Sequence, residues 1–385
     1  MSFHHLVAIA MPKNTKNHKA STKILLTPKP QHQIVLSEYV TAITWDRNGK
    51  YLAAATASGE VVLMDGQSSK ANLQPLTLQA PTEQAIDCLG FSADGRWLAA
   101  GGQDSKIRVW DLSHNPPAIA ATIDLNSGAS STKKLWIEHL AWHPHRAEFA
   151  FSFGKYIQVW SAETLDIVTT LDFAQSTVLA IAWHPSGEYL TASGDGGIKV
   201  WQQADWYADP LLFEMPTAAA KILWDHAGQY LVASTLDHLV VVIQWLSTDF
   251  DPSPWRMQGF PGKIRSFAWS NQRSPLLASS SGTDVVIWER HADPNVGWEG
   301  EVIKGHNSIV GAVAFSANSE YLATADENGR IAIWDKALNW IQALETPMDE
   351  ITALQWQPKG KKLAAANSNG DVLIWSESSQ GKGFR

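Results

Sequence analysis

The chain has 385 residues, of which 45% are hydrophobic and 18% are charged, so it can bury a large core and global disorder is excluded. Its single cysteine, Cys88, cannot form an intramolecular disulfide, which excludes a disulfide-stapled secreted scaffold and a cysteine-based zinc site. The formal net charge is −8, and residues 1–31 carry five lysines and no acid, so the remainder is more acidic than the whole chain. That balance argues against a nucleic-acid-binding body.

Residues 1–31 are predicted to form a basic flexible tail. Their one apolar run, Leu6–Met11, is too short for a membrane span or for the apolar core of a signal peptide, so we expect a cytoplasmic protein without a membrane span. Four histidines in or beside the tail could bind a transition metal weakly, although nothing in the sequence preorganises them: His4, His5, His18 and His32.

A repeat begins near residue 32 and is marked by two series of mostly aromatic residues. The first series, separated by 41 to 51 residues, is Trp45, Phe91, Trp142, Trp183, Trp224, Trp269, Phe315 and Trp356. The second, 18 or 19 residues after each of these, is Met64, Trp110, Trp160, Trp201, Ile243, Trp288, Trp334 and Trp375. Near-constant spacing inside the unit and variable spacing between units predict eight rigid units joined by loops of different length.

Each unit reads as three short antiparallel strands. In the first unit, Val40–Trp45 and Tyr51–Ala55 are separated by the turn Asp46–Gly49, which is too short for a helix. A fourth strand is predicted in the spacers, as at Ile119–Ile123. The last unit has none after it, and the apolar run Gln33–Leu36 before the first unit is predicted to supply it, which would close a ring.

The dipeptides Trp110-Asp111, Trp334-Asp335 and Gly305-His306, together with the repeat length, give a sequence that resembles the WD40-repeat family of β-propellers over residues 32–376. The resemblance implies an all-β, eight-bladed β-propeller of four-stranded antiparallel blades, the last closed by the N-terminal strand, with residues 377–385 as a C-terminal tail. Family members link a His, a Ser or Thr, an Asp and the Trp by hydrogen bonds. Because the Gly-His unit has Asn328 in the acid's position, we expect no blade to hold the complete network.

Candidate chemistry is sparse. His143, His184 and His226 follow first-strand aromatics and are interpreted as turn residues rather than metal ligands, because neighbouring blades are too far apart for one zinc ion. Cys88 is interpreted as a buried, inert thiol. The glycine-rich stretch Ser193–Gly197 is a predicted hairpin turn, without the helix start that a phosphate loop needs. We therefore expect no enzyme, no cofactor and no catalytic or metal-binding residue.

In the family that the sequence resembles, partners usually meet one face of the propeller, called the top face here. The resemblance places there the residues six and four before the first-strand aromatic, and the residue before the acid position of the second turn. The candidate partner-binding residues are Trp136, Glu138, Phe153, Leu179, Leu236, Asp87, Tyr39, Lys263, Arg265 and Glu350. Among these, Trp136, Phe153, Leu179 and Leu236 are predicted to form an apolar arc flanked by acids, as at a protein–protein hot spot.

The predicted function is a non-enzymatic scaffold that binds a protein or peptide partner on the top face. Two alternatives stay open: a ligand-binding or enzymatic propeller that uses the central channel, and a metal-handling protein that uses the histidines. The acidic balance predicts that the propeller body does not bind nucleic acid.

Overall fold

The computed structural model of the chain describes residues 6–8, 25–68, 73–126, 135–174, 176–293 and 296–378. Every regular element in these ranges is a β-strand. In this described part of the chain, no helix has the length and the hydrophobicity that crossing a membrane would require. Most of the two predicted tails, with His4, His5 and His18, lies outside the described residues.

Contacts divide the chain into two compact units, Leu36–Trp224 and Met1–Val35 with Asp225–Arg385. The strands form eight sheets. The first four are β3 to β6 (Val40–Trp45, Tyr51–Thr56, Val61–Asp65, Leu76–Gln79), β7 to β10 (Ile86–Phe91, Trp97–Gly102, Lys106–Asp111, Ala118–Asp124), β11 to β14 (Leu140–Trp142, Glu148–Phe153, Tyr156–Ser161, Asp166–Asp172) and β15 to β18 (Ala180–Trp183, Tyr189–Gly194, Gly197–Gln202, Leu211–Glu214).

The other four sheets complete the series. They are β19 to β22 (Ala219–Trp224, Tyr230–Thr235, Val240–Gln244, Trp255–Gln258) with the added strand β1 (Leu6–Ala8), β23 to β26 (Ile264–Trp269, Leu277–Ser281, Asp284–Arg290, Trp298–Ile303), β27 to β30 (Val310–Phe315, Tyr321–Asp326, Ile331–Asp335, Asn339–Leu344), and β31 to β33 (Ile351–Trp356, Leu363–Asn367, Asp371–Trp375) with β2 (His32–Val35). The predicted eight blades of four antiparallel strands are confirmed.

The second strand of each blade is one of its inner strands. In β4 the run Ala53–Ala55 is fully buried, and in β32 the run Ala364–Ala366 is fully buried as well. A strand that is covered on both faces lacks the alternation of a half-exposed strand, and small side chains let neighbouring sheets pack closely against it. This explains why the second strands read as continuous small and apolar runs.

The last sheet is completed by the N-terminal strand β2, as predicted. β2 pairs antiparallel with β33, with Ile34 opposite Val372. The chain is already ordered before this strand: Leu26 is buried, and Gln342 bonds both its N–H and its carbonyl. The domain limits at residues 31 and 377 remain a prediction.

The expectation that no blade holds the complete hydrogen-bond network is wrong for the seventh sheet. His306 Nδ1 lies 2.8 Å from Asp326 Oδ2, His306 Nε2 lies 2.7 Å from Thr324 Oγ1, and Trp334 Nε1 donates to Thr324 Oγ1 at 2.9 Å. The acid is therefore Asp326 at the end of β28, and not a residue at the position of Asn328. All members are buried, so each polar group is satisfied within the blade.

Several other blades have alanine where the seventh has Thr324. In two of them, Ala100 precedes Trp110 and Ala365 precedes Trp375 by the same ten residues. Both indole N–H groups are buried and have no hydrogen-bond partner among the described residues. An unpaired buried donor costs roughly 1–3 kcal/mol, so apolar packing of the indole must outweigh that cost here.

Candidate protein-binding surface

Two loops meet at one end of the blade in four of the blades, as the repeat register predicts. In each of them, the backbone carbonyl of the residue six positions before the first-strand aromatic accepts a hydrogen bond. The donor is the backbone N–H of the residue that precedes the acid position of the second turn. These bonds join Tyr39 to Ala57 and Ala85 to Gln103 in one unit, and Ile309 to Glu327 and Glu350 to Ser368 in the other, at 2.9 Å each. The register thus brings together the loops that the sequence analysis paired.

A β-bulge near the start of the first strand shapes this end of the blade in at least five of the sheets. The register against the second strand shifts there, which leaves one extra residue in the first strand. The extra residues are Thr41, Asp87, Arg265, Gly311 and Thr352, which all lie four positions before the first-strand aromatic. A bulge takes its residue out of the ladder and changes the direction of its side chain. The bulge positions hold residues of different types, so the sequence pattern does not predict the bulges.

Asp87 lies on the second sheet, and Glu138 lies just before the third sheet, where its negative charge acts on Asp87. Burial of Asp87, and then the negative charge of Glu138, raises the pKa of the Asp87 carboxyl, while a hydrogen bond with Gln103 opposes this effect. His139 Nε2 lies 3.9 Å from Glu138 Oε2. Burial lowers the pKa of His139 to about 4, so this imidazole is neutral at pH 7 and does not offset the charge of the pair.

Trp136 lies before β11, outside the third sheet, whereas Phe153 is the last residue of β12. The Trp136 side chain is 51% exposed, whereas the next residue, Ile137, is completely buried. Phe153 is half-buried, and its ring centroid lies 5.9 Å from that of Phe151 and 5.8 Å from that of Tyr156. Phe153 is therefore partly a core residue, and Trp136 is the more exposed of the two aromatic side chains.

Leu179 is half-buried and lies directly before β15, the first strand of the fourth sheet. The N–H of its neighbour Val178 donates to Gly154 O at 2.9 Å, which holds the loop before β15 against the turn that follows Phe153. We use the name arc surface for Asp87, Trp136, Glu138, Phe153 and Leu179, all of which lie within the unit Leu36–Trp224. Tyr39, at 39% exposed, belongs to the same unit.

The remaining candidate residues lie in the other unit and are described separately. Leu236 is 59% exposed in the turn between β20 and β21. Lys263, Arg265 and Glu350 are exposed as well. Arg265 Nη2 lies 3.7 Å from Glu327 Oε1, an exposed ion pair between neighbouring sheets that contributes little to stability.

A polar cleft in the unit Leu36–Trp224 was not foreseen from the sequence. It measures about 250 Å³ and is lined by Ala93, Asp94, His145, Arg146, Ala147, Glu148, Ser161 and Glu163. Glu148 accepts a hydrogen bond from Gln203 Nε2 at 3.0 Å, and burial raises the pKa of its carboxyl. The lining offers charges of both signs to a small polar molecule.

The predicted turn role of His143 and His184 is confirmed. His143 Nδ1 accepts hydrogen bonds from the backbone N–H groups of His145 and Arg146, each at 3.0 Å, and His184 Nδ1 accepts one from Ser186 at 3.1 Å. Within the described residues, three or more His, Cys, Asp or Glu side chains are nowhere grouped so that they could hold a metal ion.

Cys88 is buried, as predicted. Its thiol contacts the carbonyl oxygens of Gly101 and Ile137 at 3.4 and 3.5 Å. Burial raises the pKa of the thiol far above its ordinary value, so the reactive thiolate is not populated at neutral pH.

Four windows of the chain match the family model "WD domain, G-beta repeat", at residues 74–111, 165–202, 298–335 and 340–376. These four windows are WD40 repeats. The fold of the chain is that of a β-propeller: the crystal structure of the Cps50 (Swd1) β-propeller domain of Myceliophteria thermophila aligns with a TM-score of 0.61 and 18% identity, covering 91% of this chain and 99% of that one.

Curated relatives match shorter stretches of this chain. An uncharacterized WD repeat-containing protein of Schizosaccharomyces pombe is 28% identical over 163 residues, which is 40% of this chain and 27% of that protein. Striatin-4 of Mus musculus is 29% identical over 137 residues, covering 31% of this chain and 18% of its own length. The human F-box-like/WD repeat-containing protein TBL1X is 29% identical over 130 residues, covering 31% and 22%. The matched region thus spans about a quarter or less of these relatives.

Proposed function

We propose that this protein is a non-enzymatic interaction scaffold that binds a protein or peptide partner through its arc surface. Tyr39, Leu236, Lys263, Arg265 and Glu350 are proposed as further contacts of the same top face. The body of the propeller does not bind nucleic acid in this proposal, since the chain is acidic, and the protein acts in the cytoplasm.

One observation carries the proposal: a half-exposed tryptophan, Trp136, lies two residues before Glu138, whose negative charge acts on the half-buried Asp87. Large aromatic side chains at the surface are expensive to leave in water and are the residue type most enriched at binding hot spots. The carboxylate pair lacks charge compensation from His139 and can orient a partner of complementary charge. WD-repeat relatives are generally interaction scaffolds, which agrees with this assignment.

The test is capture of a partner from a lysate of the protein's own organism, followed by a measurement of the dissociation constant for the purified pair. Trp136→Ala is expected to weaken binding by about 1–4 kcal/mol, the usual range for truncation of a hot-spot aromatic residue. Its melting temperature should stay close to that of the unchanged protein because half of the side chain is already exposed.

Two control variants separate binding from folding. Tyr207→Ala removes an aromatic side chain that is 97% exposed in the same unit but lies outside the arc surface, and it should bind normally. Trp183→Ala removes a side chain that is 7% exposed and donates to Ala141 O at 3.1 Å, and it should lower stability by roughly 3–5 kcal/mol. Normal binding by Trp136→Ala, with loss of binding on substitution of Lys263 or Arg265, would move the site away from the arc surface.

The polar cleft favours a second candidate function, the binding of a small polar ligand. Its lining includes the half-buried Glu148 beside Arg146 and His145. Failure to capture any partner, together with a small molecule that raises the melting temperature, would favour this function, because a ligand that stabilises the native state must bind to it.

A further inference from the structure

The fifth sheet carries an additional strand at its outer edge. Leu6–Ala8 lies parallel to β22 (Trp255–Gln258), with Leu6 opposite Arg256, Val7 opposite Met257 and Ala8 opposite Gln258. The other pairings of named strands described in the chain are antiparallel. The added strand is thus no product of a hairpin but comes to this edge from a distant part of the sequence.

The strand that receives it is held firmly from the inside. β22 pairs with β21, where Val240 faces Met257 and Val242 faces Trp255. Met257 is completely buried, and the Trp255 ring lies 4.4 Å below the Arg290 guanidinium. A rigid edge strand offers its outward N–H and C=O groups in a fixed array, which lowers the ordering cost for a strand that docks there.

An aromatic cluster supports the same edge from below. The Trp255 ring centroid lies 6.3 Å from that of Tyr230 and 6.5 Å from that of Trp298, and Trp298 lies 5.6 Å from Trp269. Leu6–Ala8 also approaches the outer strand of the sixth sheet, which starts at Trp298. The docked strand is therefore paired with the edge of the fifth sheet and also lies next to the outer strand of the sixth sheet.

We propose that the outer edge of the fifth sheet is a docking site for an extended peptide strand, that Leu6–Ala8 occupies it in cis, and that a partner strand of the same small, apolar kind can replace it. Strand addition takes its affinity from main-chain hydrogen bonds and its selectivity from alternate side chains. A strand of three residues makes few such bonds, so a longer partner strand can compete with it. This surface is independent of the arc surface and of the function proposed for it.

Because Leu6–Ala8 belongs to the same chain as its site, the affinity that the proposal requires of this segment can be calculated. A segment that belongs to the same chain as its site has an effective concentration there of order 1 mM. Leu6–Ala8 can occupy the edge for most of the time only if the free segment binds with a dissociation constant below about 1 mM. A chain without the segment should therefore bind the corresponding peptide measurably, and the full chain should bind it more weakly because its own segment competes.

The experiment uses a fluorescein-labelled peptide with the sequence of residues 3–12 and measures its anisotropy with two proteins, the full chain and a chain that lacks residues 1–10. We expect binding to the truncated chain with a dissociation constant below about 1 mM, and an apparent affinity for the full chain at least twofold lower, or roughly tenfold lower if the constant is near 0.1 mM. A peptide with both Val7→Pro and Ala8→Pro, which lacks two amide donors, should not bind.

A second preparation keeps the test decisive if the truncation impairs folding. The full-length variant with Val7→Pro and Ala8→Pro retains the length of the chain but cannot pair its own segment, so it should bind the unmodified peptide as the truncated chain does. Hydrogen exchange at Arg256–Gln258 should be faster in this variant and should slow again with the peptide. Absence of peptide binding to both altered chains, or equal binding to them and to the full chain, would overturn the proposal.

Discussion

Replacement of Ile34 by alanine should destabilise the last blade far more than replacement of its neighbour Val35. Both residues lie on β2, the strand that completes the sheet with β33. Ile34 is 5% exposed and Val35 is 70% exposed, because successive side chains of a strand point to opposite faces. The two substitutions therefore share one strand and one set of backbone bonds, and differ in burial.

The size of the effect follows from the atoms that are removed. Ile34→Ala deletes three carbon atoms from a buried side chain, worth about 2.4 kcal/mol at about 0.8 kcal/mol for each buried methylene. The cavity that remains adds to this loss, which brings the expected decrease in the free energy of unfolding to roughly 2–5 kcal/mol. Val35→Ala deletes atoms that are mostly in water already, so its effect should stay within about 0.5 kcal/mol.

Equilibrium unfolding in urea, followed by tryptophan fluorescence, measures both variants against the unchanged protein. The expected result is a lower midpoint for Ile34→Ala with an unchanged slope, and a nearly unchanged midpoint for Val35→Ala. Equal effects of the two substitutions, or an effect of Ile34→Ala below about 0.5 kcal/mol, would refute the assignment of β2 as the closing strand of the last blade.

Two further predictions concern buried polar groups. Thr324→Ala should lower the free energy of unfolding by about 1–3 kcal/mol because Trp334 Nε1 loses its acceptor and His306 Nε2 its partner, whereas Thr324→Ser, which keeps the hydroxyl, should cost less; urea unfolding compares them. Stability should also fall as the pH drops from 6.5 towards 4, since unfolded His139 then binds a proton that the folded state excludes. His139 contributes up to about 3 kcal/mol to this loss, so the loss should be smaller in His139→Gln.

Most of the architecture could be predicted because it repeats. The spacing between Trp142 and Trp160 recurs with one residue of variation in every blade, and a strand–turn–strand unit is the only short structure that such spacing fits. The closing strand could be predicted from the apolar run Gln33–Leu36 before the first unit, and β2 does pair with β33. The observed strand, His32–Val35, begins and ends one residue earlier than predicted.

The features that could not be predicted depend on single residues or on distant contacts. Asp326 is hydrogen-bonded to His306 from the end of a strand. It lies two residues before the position at which the repeat predicts an acid. The bulge that sets Asp87 apart is a backbone event without a residue-type signal. The run Leu6–Met11 was visible as apolar, but its partner strand, Trp255–Gln258, lies too far along the chain for any local pattern to connect them.

The turn after the first strand shows why a histidine there is a poor sign of a metal. Seven of the blades place a side-chain acceptor directly after the first-strand aromatic and bond it to backbone N–H groups of the same turn: Asp46, Ser92, His143, His184, Asp225, Ser270 and Ser316. Histidine fits this series because neutral Nδ1 carries a lone pair at a suitable distance from the backbone.

A metal ion would compete directly with that structural role. At His143, Nδ1 accepts two backbone hydrogen bonds and Nε2 lies 3.1 Å from Gly187 O, so both ring nitrogens are already engaged. Coordination through Nδ1 would leave the N–H groups of His145 and Arg146 without their acceptor, at a cost of roughly 1–3 kcal/mol for each group that stays buried. A histidine at this position suggests zinc in the sequence. In the structure, however, the Nδ1 lone pair of His143 already accepts the hydrogen bonds that stabilise the turn between two strands of the blade.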